Sequence, residues 1–160
     1  MNIKLTTTLL LAIGFSALTV NAQKGFATKK EAKNEMKRNL KDGNWVEYMD
    51  ATGKPTADTA APYYMLSVYK KGLKNGLCNS YAKAGKLESA IPYKDGKING
   101  VAKYYYASGK LMGETTYSSD NMNGPQKSYY ESGKVKSEAT WVNGKAGASK
   151  YYDEDGKETK

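Results

Sequence analysis

From Leu87 onward the chain alternates apolar and polar positions in short runs that end at glycine turns. Leu87, Ser89, Ile91 and Tyr93 fall on one side of an extended segment; Leu111, Gly113, Thr115 and Tyr117 repeat the arrangement, and Val135, Ser137, Ala139 and Trp141 repeat it again. Glu88, Glu114, Lys136 and Glu138 occupy the alternate positions. A period of two marks strands with one covered and one wet face. The runs are separated by Gly-Lys dipeptides, which begin at Gly53, Gly85, Gly96, Gly109, Gly133, Gly144 and Gly156. Glycine reaches positive φ without steric cost, so these dipeptides predict hairpin turns, most clearly in Asp95-Gly96 and Asn143-Gly144.

The runs also copy one another. Asn75-Gly76, Asn99-Gly100 and Asn123-Gly124 open three units at a step of 24 residues, and each unit carries a tyrosine at the same offset, Tyr81, Tyr105 and Tyr129, with Tyr152 continuing the series. Self-similarity at such a period marks a repeat array in which each unit contacts mainly its neighbours. The expected fold is all-β: an elongated antiparallel meander of about five repeated hairpins over residues 42–160, forming a single-layer sheet. The first repeat starts at Asp42-Gly43-Asn44-Trp45 and is interrupted by an exposed loop over residues 55–62 (P-T-A-D-T-A-A-P), after which Tyr63–Tyr69 returns as a strand. The acidic run after Tyr152 suits a terminal repeat that must not recruit another edge. Ahead of the array, Ala32, Met36 and Leu40 recur at every fourth position, which predicts a short helical or disordered lead over residues 23–41.

The unit N-G, four residues, Y, three residues, G-K-L resembles the bacterial variant of the MORN repeat, over about Gly43 to Lys160. The chain is also similar to antitoxins of the YwqK type. The first resemblance implies hairpin arrays that serve as interaction or scaffold modules. The second implies a toxin as partner, which is the alternative reading of function.

Composition narrows the chemistry. The 160 residues carry a formal net charge of +9, yet among 25 basic residues Arg38 is the only arginine. Nucleic-acid recognition favours the bidentate arginine fork, so no specific nucleic-acid partner is expected. Residues 1–22 combine Lys4, an apolar core from Leu9 to Val20 and small residues before Gln23. That is the pattern of a secretory signal peptide, too short to be a membrane anchor, and it predicts export to the periplasm or the extracellular space with no transmembrane segment after cleavage. The single cysteine, Cys78, has no partner within the chain and reads as a small strand residue.

There is no histidine, which removes the common triads, the usual zinc ligand sets and the commonest general base. No phosphate loop accompanies the Gly-Lys dipeptides, and Asp153, Glu154 and Asp155 lack the spacing of a calcium loop. No catalytic residue, metal site or cofactor is expected. What stands out is 14 tyrosines against two phenylalanines and two tryptophans, a residue suited to surfaces packed on one side and wet on the other. The candidate binding residues are Tyr81, Tyr105, Tyr129 and Tyr152 in one row, Tyr106 and Tyr130 opposite, and Trp141. They predict a non-enzymatic binding or scaffold module whose partner is a protein or a cell-envelope polysaccharide.

Overall fold

The computed structural model describes residues 25–159; the segment read as an export signal, residues 1–22, lies outside them. The described chain forms one antiparallel sheet of fourteen strands. In chain order they are β1 (Glu35–Lys37), β2 (Leu40–Met49), β3 (Pro55–Thr56), β4 (Tyr63–Lys70), β5 (Leu73–Lys74), β6 (Gly76–Ala82), β7 (Leu87–Lys94), β8 (Lys97–Ile98), β9 (Gly100–Tyr105), β10 (Leu111–Ser118), β11 (Asn121–Tyr129), β12 (Val135–Val142), β13 (Lys145–Tyr152) and β14 (Glu158–Thr159). Eleven follow one another across the sheet in sequence order, while β3, β5 and β8 are two-residue pieces that pair with β2, β4 and β7. At 4.8 Å per strand the sheet extends roughly 50 Å. The expected meander of hairpins is the observed fold.

All seven glycines of the Gly-Lys dipeptides have positive φ, as the turns demand. In Asp95-Gly96 and Asn143-Gly144 the preceding residue is also left-handed, at φ 49° and 50°, the geometry of a tight hairpin. Pro55–Thr56 of the expected loop is held against Met49 and Tyr48 of β2, so the insertion starts as a strand before it loops out to Tyr63.

Strict alternation is broken at the same place in three successive repeats. Tyr81 pairs with Leu87, Tyr105 with Leu111 and Tyr129 with Val135, and in each case the next pair skips a residue, Glu88, Met112 or Lys136. These are β-bulges, which bend a strand and re-aim a side chain. Glu88 and Lys136 are therefore bulge residues, whereas Glu114 and Glu138 sit on a regular face.

The lead departs most from expectation. It forms no α-helix: a 3-10 turn spans Lys29–Glu31, and Met36 and Leu40 belong to the strands of the β1–β2 hairpin. The apolar stripe on which a helix depends finds no surface to cover, while the edge of β2 offers free backbone groups. Lys33 and Asn34 donate their amides to the Asn44 carbonyl, and the Asn34 side chain accepts from the Val46 amide at 2.8 Å and donates to its carbonyl. Upstream, the lead crosses one face of the sheet. Phe26 is only 6% exposed, and Gly25 lies so near Leu77 that a Cβ at position 25 would stand 2.9 Å from that of Leu77.

The two faces are built differently. Face A carries Leu66, Ala90 and the lead with Phe26. Face B buries the small residues Ser67, Cys78, Ser89, Ala102 and Thr115. It is flanked by aromatics such as Trp45 and Tyr69, which meet edge to face at 6.1 Å. Cys78 is a buried strand residue whose Sγ lies 3.1 Å from Ser67 Oγ.

Candidate functional site

One row of cross-strand partners runs down face A. It passes through Val46, Leu66, Asn79, Ala90, Lys103, Glu114, Lys127, Glu138 and Lys150, each paired with the next. From Val46 to Ala90 the row is uncharged, and from Lys103 to Lys150 it alternates in sign. The lead lies on the neutral half. The lead touches β2, β4 and β6: Lys29 Nζ stands 5.0 Å from the Tyr48 ring centroid and 4.0 Å from that of Tyr64, and Gly25 abuts Leu77. Ala90, the last neutral member, is buried, and Lys103 is exposed.

The tyrosine row lies on this face. Under the lead, Tyr81 stacks on Tyr64 with centroids 4.8 Å apart and planes within 8°, and burial raises the pKa of both hydroxyls. Beyond the lead, each tyrosine follows a lysine of the charged row by two residues and so shares its face: Lys103 with Tyr105, Lys127 with Tyr129, Lys150 with Tyr152. Tyr129 donates to Glu114 at 2.9 Å and Tyr152 to Glu138 at 2.7 Å. The corresponding position below Tyr105 is Ala90. Burial first and the Glu114 bond second raise the Tyr129 pKa. Tyr152 is pushed up to about 12, chiefly by its bond to Glu138. The same bond, helped by Lys127, holds the Glu138 carboxyl below its ordinary value. Lys127 Nζ lies 3.5 Å from Glu138.

Two shallow hollows flank Glu138. One of about 190 Å³ lies among Pro125, Lys127, Thr140, Ala148 and Lys150; the other, about 450 Å³, is bordered by Val135, Tyr152 and the Gly133 and Gly156 turns.

The remaining expected residues lie elsewhere. Tyr106 and Tyr130 stand in the turns, where their hydroxyls donate to the backbone carbonyls of Tyr129 and Tyr152, at 2.6 and 2.8 Å. They tie each repeat to the next. Lys110 and Lys134 make parallel ties to the carbonyls of Glu131 and Glu154. Trp141 donates to Gln126 on face B, so it is not assembled with the tyrosine row. The three lysines of the row escaped the sequence reading, although their constant offset from the tyrosines was there to find.

Comparison with known proteins bears on the middle of this surface. The MORN repeat variant matches residues 98–119 and 122–143. The two matched units cover β9 to β12 almost in full and contain Lys103, Tyr105, Glu114, Lys127, Tyr129 and Glu138. MORN repeats are non-catalytic modules that mediate binding to proteins and membranes. Neither curated proteins nor solved structures gave a match. Among the described residues, no cluster of three or more metal-ligating side chains occurs and no helix is long and apolar enough to cross a membrane.

Proposed function

We propose that the chain is an exported, non-enzymatic binding module that works through face A of its last three repeats. One observation carries the reading: on the part of face A where the central row is charged, a lysine and a half-buried tyrosine recur at the same offset on β9, β11 and β13. Solvation alone accounts for charge on an uncovered face, but it does not require a half-buried aromatic ring beside each lysine. Half-buried tyrosines beside lysines and carboxylates are suited to holding a partner, since aromatic rings supply contact area and the polar groups fix its orientation. Export rests on the pattern of residues 1–22.

The test is capture by the tagged full chain from envelope and secreted fractions, read for proteins and glycans. A Tyr105→Ala/Tyr129→Ala/Tyr152→Ala variant that keeps the far-ultraviolet spectrum of the parent should lose the partner, while Tyr151→Ser, on the opposite face, should keep it. Retention by the tyrosine variant would refute the assignment. A single stoichiometric protein held through residues 55–62 instead would favour the antitoxin reading.

A further inference from the structure

Resting on that reading of face A, we infer that its ligand is an anionic polysaccharide with one acidic group per disaccharide, laid across the strands from β9 to β13. Lys103, Lys127 and Lys150 recur at every second strand, a step of about 10 Å, which is the length of a disaccharide in an extended β-linked glycan. Each stands two residues before a half-buried tyrosine on the same face. A sugar ring can therefore rest its apolar side on the tyrosine while its neighbour's acid meets the lysine. Three such stations stand in line, and the two hollows beside Glu138 are shallow and open. That shape suits a polymer lying along the surface rather than a compact molecule enclosed in a pocket.

Charge favours an anion. Glu114 and Glu138, the acids within the row, already accept hydrogen bonds from Tyr129 and Tyr152. Lys127 and Lys150 have partly exposed side chains, and their ion pairs, with Glu138 at 3.5 Å and Glu158 at 3.8 Å, are of the weak surface kind that exchanges readily for a ligand acid. The turns along the rim are mixed in sign, with Lys110, Lys134 and Lys157 set against Glu131, Glu154 and Asp155, so the preference comes from the row itself. Lysine ammoniums act as point charges suited to carboxylate or sulfate, and no arginine fork is present on this face.

The test is calorimetric titration of the full chain with hyaluronate oligomers, which carry one carboxylate per disaccharide, alongside neutral chitin oligomers. An octasaccharide, long enough to reach all three stations, should bind at least about tenfold tighter than a disaccharide, because later contacts form within the same complex. Lys103→Gln/Lys127→Gln/Lys150→Gln should weaken the octasaccharide about tenfold or more, while Lys33→Gln/Lys54→Gln/Lys97→Gln, of the same net charge, should cost less than about threefold. Equal losses in the two variants would reduce the effect to general attraction by a +9 chain and overturn the inference. So would binding that ignores oligomer length, or a preference for phosphatidylglycerol vesicles or single-stranded oligothymidylate. If no anionic glycan binds while a captured partner remains sensitive to the tyrosine variant, the glycan falls and the binding face stands; if both fail, face A is not the working surface.

Discussion

Phe26→Ala tests how the lead is held. Phe26 is 6% exposed, and burying a phenylalanine contributes about 1.5–3 kcal/mol. Lys29 over Tyr48 and Tyr64 adds about 0.5–1 kcal/mol per ring at a surface site. The 2.8 Å bond from the Val46 amide to the Asn34 side chain adds about 1 kcal/mol. Against these stands the cost of ordering the lead, about 1–2 kcal/mol per residue of backbone, so the segment is docked by a narrow margin and depends on its one large apolar anchor. Losing that anchor should release the lead and leave the sheet intact, because units of a repeat array contact mainly their neighbours. The readout is native-state hydrogen exchange. The amides of Lys33, Asn34 and Val46 should lose protection, whereas those of β10 to β12 should keep theirs. The Tyr64 hydroxyl, whose pKa burial now raises, should titrate closer to its ordinary value. Unchanged protection at Lys33 and Asn34, or a uniform loss extending to β12, would refute the account.

Three further outcomes follow from the repeat geometry. Tyr106→Phe and Tyr130→Phe each remove a hydroxyl that ties one repeat to the next and should cost about 1 kcal/mol apiece in urea unfolding; additive values below about 0.3 kcal/mol would show that the ties carry no weight. Glu138→Gln should bring the Tyr152 hydroxyl down from about 12 toward its ordinary 10, read as the tyrosinate absorbance difference between each chain and its Tyr152→Phe counterpart. Because the folded value is the higher one for Tyr152, the stability of this pair is present below pH 10 and lost as pH rises through about 12; Glu138, held below its ordinary value, loses its share as pH falls through that depressed value. Gly124→Ala should lower the melting temperature more than Gly109→Ala. Both glycines have positive φ, but only at Gly124 would the new Cβ also stand 3.0 Å from Thr116, so its cost should exceed the 1–2 kcal/mol or so of backbone strain alone; equal shifts would count against that contact.

Features fixed by residues close in sequence are legible from the sequence alone. Turn glycines require a particular φ, strand faces follow a period of two, and the tyrosines keep the step of the repeat, so hairpins, sheet and row could all be placed. The lead could not, because Gly25 and Lys29 meet strands that follow them by tens of residues, and the fourfold spacing of Ala32, Met36 and Leu40 mimics a helical stripe although Met36 and Leu40 lie in a strand hairpin. The bulges at Glu88, Met112 and Lys136 were hidden for a related reason: alternation looks unbroken along one strand, and only the pairing with its neighbour shows the extra residue. The charged row needed both kinds of information. Lys103, Lys127 and Lys150 could be read from their constant offset, but the change of character at Lys103 has meaning only once the lead is seen to stop short of it.

The two ends of the sheet are closed by different means, and the difference makes a prediction about association. Along β2, the outer edge is occupied throughout: β1 pairs with Leu40 to Asp42, the Asn34 side chain satisfies Val46, and β3 pairs with Tyr48 and Met49. At the other end, β14 pairs only with Tyr151 and Tyr152, so among the described residues the outer side of β13 from Lys145 to Lys150 is uncovered. A free edge of that length is a template for another chain. Two features oppose it: lysines stand at both ends of the stretch, and the register with β12 shifts between Ala139 and Trp141, where β13 runs one residue longer than its partner and bends away. In an antiparallel pairing of two β13 edges centred on Gly147 and Ala148, Lys145 would face Lys150 of the other copy, and like charges directly opposite are destabilising. The chain should therefore stay monomeric as concentration rises, while Lys145→Val/Ser149→Val, which removes one lysine of each facing pair and adds β-branched side chains, should associate in sedimentation experiments. A variant that remained monomeric would show that the bulge alone guards the edge.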